Sequence, residues 1–309
     1  MFFYYFLSNC ILIVMVNTIL YGKPVADGIY DSIKEELKRT ILVRKPRLEV
    51  IIVGNRPDSE LYVKLKKKKA EELGFICNIK RFNNLVCEDE IITFIDGCNS
   101  NKNIDGLLVQ LPLPEHLNTS YIVNRVKPSK DLDGFHRMNY GCLITDKTYK
   151  FGQVQNDYFI PCTAVGVMEL LRHYSIELKG KDVVVVGCSN VVGMPLALLL
   201  NQEGATVQIC HSLSRDVKSK CKMSDIIISC VGVPGLISVD NCNEDHILID
   251  VGISEVKIDG KNAIVGDISS GLLQSFNNIS ITPVPKGVGS ITIAVLLRHL
   301  LSSFIKRHS

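Results

Sequence analysis

The segment "KDVVVVGCSNVVGMPLALLLNQEGATVQICHS", residues 181–212, constrains the fold of this chain more than any other. A continuous apolar run, a turn carrying glycines, an apolar helical stretch and a second apolar run read as strand, turn, helix, strand. Strands joined through a helix lie parallel, and strands apolar on both faces are covered by helices on both sides. The turn Gly187-Cys188-Ser189-Asn190-Val191-Val192-Gly193 has the spacing G-x-S-x-x-x-G, not G-x-G-x-x-G. Gly187 lets the backbone turn sharply, and Gly193 allows close approach where the helix starts. The free N–H groups there suit a phosphate. Glycines of this kind also serve plain structural turns, so the motif alone leaves both readings open.

The same alternation runs along most of the chain. "VADGIYDSIKEELKRTI" reads as a helix, "RLEVIIVG" as a strand ending in the turn "NRPDS", and "FICNIKRF" as a strand. "EDEIITFIDGCNS" is a helix, "IDGLLVQLPLP" a strand and "LNTSYIVNRVKP" a helix, while residues 141–158 look like a connector. Beyond "FIPCTAVGVMELLRHYSIEL", a helix, come the buried strands of "SDIIISCVGVPGLI" and "DHILIDVGIS". A Pro/Gly loop then leads into an amphipathic helix, "ITPVPKGVGSITIAVLLRHLLSSF". The pattern is that of an α/β protein with parallel sheets.

At 309 residues the chain is long enough for two domains with real cores. Apolar and charged fractions of 46% and 22% are those of a globular protein, and a net charge of +3 is too small to imply a polyanion partner. Eleven cysteines without a C-x-x-C pair argue for reduced, buried thiols, not a disulfide framework or metal site. The leader "MFFYYFLSNCILIVMV", residues 1–16, is short for a membrane span and has no basic n-region. A weak signal or anchor, a start placed too early with Met15 as the alternative, and a disordered leader all stay open. Residues 1–16 are therefore excluded from the fold. A cytoplasmic protein is expected, with organellar or secretory targeting left open by that leader.

"SELYVKLKKKKAEELGF", residues 59–75, reads as a helix with five lysines in six positions. Tyr62, Leu65, Ala70 and Leu73 share one side, with Leu61 and Val63 at its margins. Lys64, Lys67 and Lys68 lie opposite, as a solvated face would. Lys66 and Lys69 fall inside the apolar arc, where a lysine either snorkels to water or serves as a desolvated, functional amine. The run lacks aromatic interleaving, which speaks against nucleic acid.

Three further loops stand at strand ends. After the strand "TVQIC" the chain reads His211-Ser212-Leu213-Ser214-Arg215 with no carboxylate. Hydroxyls beside a cation suit a 2′-phosphate and so NADP; an ordinary polar turn is the alternative. "QLPLP" puts Gln110 at the rim where open α/β sheets bind ligands. "KDLDGFH" offers Asp131 and Asp133, although an Asp-Gly pair by itself is more often a turn.

Together these segments resemble one family, the bifunctional methylenetetrahydrofolate dehydrogenase/methenyltetrahydrofolate cyclohydrolases of the FolD type. The resemblance runs from about Thr18 to the C-terminal helix. It rests on "ILYGKPVA", "VGNRPDSELYVKLK", "DGLLVQLPLP", "KDLDGFH", "IPCTAVG", "VVVVGCSNVVGMPLALLL", "ATVQICHS", "IDVGI" and "ITPVPKGVGSITIA", nine segments in the family's order. It implies an N-terminal three-layer α/β folate-binding domain, residues 17–158 completed by 290–309. A Rossmann-type, doubly wound NAD(P)-binding domain over residues 159–289 would follow, with the active-site cleft between the two. A homodimer is implied as well.

Carried over by motif, S-x-x-Y-x-x-x-K puts the catalytic pair at Tyr62 and Lys66, and so prefers Lys66 to Lys69. V-Q-L-P-L-P gives Gln110, flanked by Val109 and Leu111 as substrate contacts, and K-D-x-D-G gives Asp133, which would hold the pterin. The loop Pro285, Lys286, Gly287, Val288 and Gly289 would line the folate side. Gly187, Cys188, Ser189, Gly193, Ser212 and Ile253 would meet the cofactor. The implied chemistry is oxidation of 5,10-methylenetetrahydrofolate with NADP, then hydrolysis to 10-formyltetrahydrofolate, with no metal. Partial desolvation would lower the pKa of Lys66 so that it exchanges a proton near neutral pH.

Some positions depart from the pattern. Cys188 and Met194 stand where arginine is frequent, which keeps NAD open as cofactor; Arg215 is the available substitute. Ala164 replaces a usual proline, and Lys286 and Ser290 replace the glycine and proline of P-G-G-V-G-P. A lysine there would either narrow the pocket or meet the folate's carboxylate tail. Two alternatives follow: an NAD-dependent monofunctional dehydrogenase, and a non-catalytic folate- or nucleotide-binding protein.

Overall fold

The computed structural model describes residues 4–7, 10–13, 16–146, 149–154, 156–258 and 261–308. Strands β1 (Tyr4–Leu7) and β2 (Cys10–Ile13) pair antiparallel in a ribbon of their own. The rest of the leader, apart from Val16, lies outside the described residues, and with it the readings of residues 1–16 as signal or anchor.

Strand β3 (Thr18–Ile19) leads into α1 (Gly22–Arg39), β4 (Arg47–Val53), α2 (Pro57–Glu72), β5 (Ile76–Phe82), α3 (Glu88–Ser100) and β6 (Gly106–Val109). The short α4 (Thr119–Val123) and α5 (Arg137–Thr145) complete the first half. Strands β5, β4 and β6 form a parallel sheet in that order, with Val50 opposite both Ile79 and Leu108. β4 is central, and every residue from Leu48 to Val53 is buried. Its alternate residues serve opposite faces: Leu48, Val50 and Ile52 join one core, while Ile51 and Val53 pack with Ile91 and Ile95 of α3 in another. That alternation makes the three layers.

The second half runs α6 (Cys162–His173), β7 (Asp182–Val186), α7 (Gly193–Gln202), β8 (Thr206–Cys210), α8 (Val217–Lys222), β9 (Ile226–Ser229) and β10 (Ile247–Asp250). A hairpin of β11 (Ser254–Ile258) and β12 (Lys261–Val265), α9 (Leu272–Ser275), β13 (Ser280–Ile281) and α10 (Val288–His308) follow. The sheet order is β3-β13-β10-β9-β7-β8, and each neighbouring pair is parallel. From β7 the chain goes outward to β8 and then returns to β9 on the other side. The carboxyl ends of β7 and β9 therefore part into a crevice, the place where doubly wound sheets hold ligands.

Several elements differ from the sequence reading. Thr18 and Ile19, expected in the first domain, extend the edge of the second sheet by pairing with Ser280 and Ile281. Part of the expected connector is helical, as α5, and the β11–β12 hairpin had no sequence signal because its residues are only partly buried. Helix α10 is not amphipathic: fifteen of its 21 residues are buried. It is long and apolar enough to cross a membrane, but 83% of that stretch is buried within the protein. It packs against α1 and α6, and Ser303 Oγ donates 2.6 Å to the Asp105 carbonyl just before β6. A single core cluster consequently runs from Leu48 and Val50 through Val295 and Leu297 to Val183 and Ile226. The cysteines from Cys77 to Cys242 are free thiols; six are buried, but Cys87 and Cys188 are exposed, contrary to expectation.

Candidate active site

Helix α2 starts with Pro57 at its first turn beside Asp58 and Glu60, residues that suit a helix N-terminus. Its buried stripe is Ser59, Val63, Lys66 and Ala70, spaced four, three and four. Val63 thus lies at the centre of the packed face, not its margin, while Leu61 and Leu65 are 42% and 39% exposed. Leu65 and Tyr62 line a cavity; Leu65 faces this cleft and not the core, while Tyr62 also packs against the main core cluster. Lys66 is 7% exposed and donates 2.9 Å to Gln110 Oε1. Lys69 pairs with Glu72 at 2.7 Å on the outside. Of the two lysines in the apolar arc, Lys66 is the desolvated one.

Gln110 follows β6 directly. Its backbone N–H donates 2.9 Å to Ile51 O and its Nε2 donates 2.9 Å to Leu111 O, which leaves Oε1 turned to the ammonium. The loop carrying Asp133 is tied down by its neighbours. Buried Asp131 accepts from the His136 N–H at 2.7 Å and Asn139 Nδ2 at 2.9 Å. Burial nevertheless pushes its carboxyl up to about 6. Leu132 O lies 2.8 Å from His299 Nδ1, and His299 Nε2 lies 2.8 Å from the Tyr149 hydroxyl. A carbonyl accepts only, so Nδ1 carries the proton and Nε2 accepts from tyrosine. This neutral imidazole is fully buried, and burial lowers its pKa to about 3. Cys162 Sγ donates to the same carbonyl at 3.3 Å. Burial raises the Asp133 carboxyl above its ordinary range, opposed by the charge of Lys66 and a hydrogen bond from Cys162.

Tyr62, Lys66, Gln110, Leu111 and Asp133 all face one cavity of about 210 Å³. Val191 and Val192 of the glycine turn, Val251, Ile253, Val288 and Gly289 line its other sides. A second cavity of about 360 Å³ shares Tyr62, Ile253, Val288 and Gly289 and adds Pro285, Lys286 and Gly287. Tyr62 stands at the junction, where a Cβ on Gly289 would come within 2.9 Å of its hydroxyl. Burial raises the phenol's pKa, keeping it protonated. Val109 does not belong here: at 5% exposure it packs with Ile51 and Ile95 in the core and lines neither cavity.

The opposite wall has the shape of a phosphate cradle. Gly187 has φ +122°, and a Cβ on Gly193 would stand 2.0 Å from Gly187 O. Only glycine fits there, and helix α7 starts at that turn, the Met194 N–H donating 3.0 Å to Ser189 O. Ser189 steadies it by accepting from the Val192 N–H at 3.3 Å; Cys188 is exposed on its outer side. After β8, Ser212 and Arg215 are exposed. The nearest carboxylate, Asp216, accepts from Ser219 N–H at 3.2 Å as the cap of α8. Ile253 is 38% exposed at the cavity mouth. These residues fit a dinucleotide.

Sequence reasoning assigned no role to Thr163 and Thr292, whose hydroxyls are 3.4 Å apart in the smaller cavity's lining, nor to Cys162, Tyr149 and His299 behind Asp133. "IPCTAVG" contains Cys162 and Thr163, but nothing in its pattern says that one meets Asp133 and the other lines the cavity.

Two family models match the chain. The tetrahydrofolate dehydrogenase/cyclohydrolase catalytic domain covers residues 20–133, and the NAD(P)-binding domain of the same family covers residues 161–308. The chain belongs to this family. The bifunctional protein FolD of Sulfurovum sp. is 41% identical over 293 residues, covering 93% of this chain and 98% of that relative. The crystal structure of the FolD methylenetetrahydrofolate dehydrogenase/cyclohydrolase from Campylobacter jejuni superposes with a TM-score of 0.83 at 37% identity. It covers 94% of this chain and 100% of that one. The Trypanosoma brucei FolD, complexed with NADP cofactor and inhibitor, gives a TM-score of 0.86 at 34% identity, with coverages of 94% and 98%. The family's two-domain α/β fold is the one described above.

Proposed function

We propose that this chain oxidises 5,10-methylenetetrahydrofolate to 5,10-methenyltetrahydrofolate with NADP and hydrolyses the product to 10-formyltetrahydrofolate. The observation that carries the reading is the Lys66–Gln110 pair, buried in a cavity shared with Asp133 and with the glycine turn.

The dinucleotide, when bound, supplies the hydride acceptor. The chain's own residues do the rest. Asp133 holds the pterin's donor edge, where its neighbours Asp131 and His299 keep the loop rigid. Leu111, Val191 and Ile253 give an apolar surround that excludes bulk water. The substrate that has lost hydride is already cationic at its one-carbon bridge, so hydrolysis needs a proton acceptor and donor more than a Lewis acid. Lys66 Nζ moves that proton, with Gln110 fixing its direction and Tyr62 completing the donors around it. Held geometry of this kind replaces a search through solvent.

NADP is favoured by the exposed hydroxyls and Arg215 after β8, and by the engagement of Asp216 in capping α8. The NADP complex of the Trypanosoma brucei relative supports it. Cys188 keeps the NAD reading in play, since a lost arginine removes a phosphate partner. A homodimer in the cytoplasm accompanies this reading, and light scattering of the purified protein tests the first part. The deciding experiment supplies methylenetetrahydrofolate with each nicotinamide and follows reduced cofactor and formyl product separately. Reduction without formyl product leaves a monofunctional dehydrogenase. Binding without turnover leaves a binding protein.

A further inference from the structure

Lys286 is the third residue of the loop Val284–Gly287 in the wall of the larger cavity, and its backbone has φ +90°, a region that favours glycine. Residues with a Cβ persist there at a cost and tend to mark functional positions. The other two lysines in the same wall are engaged: Lys23 with Asp27, and Lys69 with Glu72 at 2.7 Å. Among the described residues, the Lys286 ammonium has no hydrogen-bond or ion-pair partner. The wall has no carboxylate to spare for it either. Asp27 is held by Lys23, and Asp250 accepts the N–H groups of Gly252, Asp267 and Ile268. An unpaired cation at the exposed rim of a cavity that opens past Tyr62 into the reaction cavity calls for an anion on the ligand.

We propose that Lys286 binds carboxylates of the substrate's glutamyl tail, making the chain selective for folates with several γ-linked glutamates. This rests on the folate reading above. A ring seated beside Asp133 directs its tail past Tyr62 into the larger cavity. The first glutamate has two carboxylates, and each further one adds another anion within reach of a flexible lysine stem.

The test is equilibrium binding, by titration calorimetry, of folates carrying one and five glutamates to the wild-type chain, Lys286→Gly and Lys286→Gln. Both variants are expected to bind the pentaglutamate about five- to tenfold more weakly, with a smaller loss for the monoglutamate and less difference at high salt. Lys286→Gln keeps a side chain at the same backbone angle, so equal losses in both variants assign the effect to charge. The same preference for the longer tail in all three proteins overturns the proposal. Turnover of the monoglutamate by the wild-type chain tests the folate reading separately, because it does not require Lys286.

Discussion

The two walls of the reaction cavity are made of different material. The first-sheet wall works through side chains, Tyr62, Lys66, Gln110 and Asp133, each aimed by a helix, a strand end or a braced loop. The second-sheet wall is shaped through backbone, with Gly187 and Gly193 setting the turn from which α7 starts. The difference explains where the chain tolerates change. On the backbone wall Cys188 and Met194 stand where the family resemblance leads one to expect arginine, while the turn itself is set by Gly187 and Gly193. On the side-chain wall the proposed chemistry depends on the identity of each residue.

Breaking the side-chain wall should have the largest effect. Lys66→Met is expected to lower cyclohydrolase activity by about 10²–10⁴-fold, the usual contribution of a positioned proton-transfer group. The fold should stay intact, since methionine suits the buried stripe; hydrolysis of the methenyl substrate at an undiminished rate would remove Lys66 from the mechanism. Asp133→Ala leaves a buried pterin edge unpaired, a loss of about 1–3 kcal/mol, so the folate KM should rise roughly 5–150-fold with little change in dinucleotide KM. An unchanged folate KM refutes its role.

The backbone wall is probed by Gly193→Ala. A Cβ there would stand 2.0 Å from Gly187 O, so the turn must open. Overpacking of this kind costs about 1–3 kcal/mol, and the dinucleotide KM should rise about tenfold while folate binding is kept. A normal dinucleotide KM would show that the cradle does not hold the phosphates. Cys188→Arg should give the smallest change, a few-fold gain for NADP over NAD, read from the ratio of kcat/KM values. Equal gains for both cofactors would place the new cation away from the 2′-phosphate.

The side-chain wall was legible in the sequence through the family resemblance, which gives roles to local motifs: a tyrosine and a lysine four apart on a helix, a glutamine at a strand end. What stayed hidden depends on distant partners. Apolar Leu65 reads as core by periodicity, but it faces the cavity, and Val63 packs in its stead. By periodicity alone Lys66 and Lys69 are equivalent; the family motif prefers Lys66, and β6 brings Gln110 beside it. His299 lies 167 residues from the carbonyl it binds, so no window of sequence links it to Asp133. The β strands of the second sheet were read correctly from their apolar runs; the edge pair Thr18–Ile19 and Ser280–Ile281 is too short to carry such a run.

Helix α10 threads the core that both halves share. The first sheet is therefore made long before α10, the segment that completes the shared core, and until then the nascent N-terminal half has an open seam. Such distant closures slow folding and leave apolar surface uncovered in the meantime. Because one core spans both halves, they are expected to mature together and not as two modules finished in sequence.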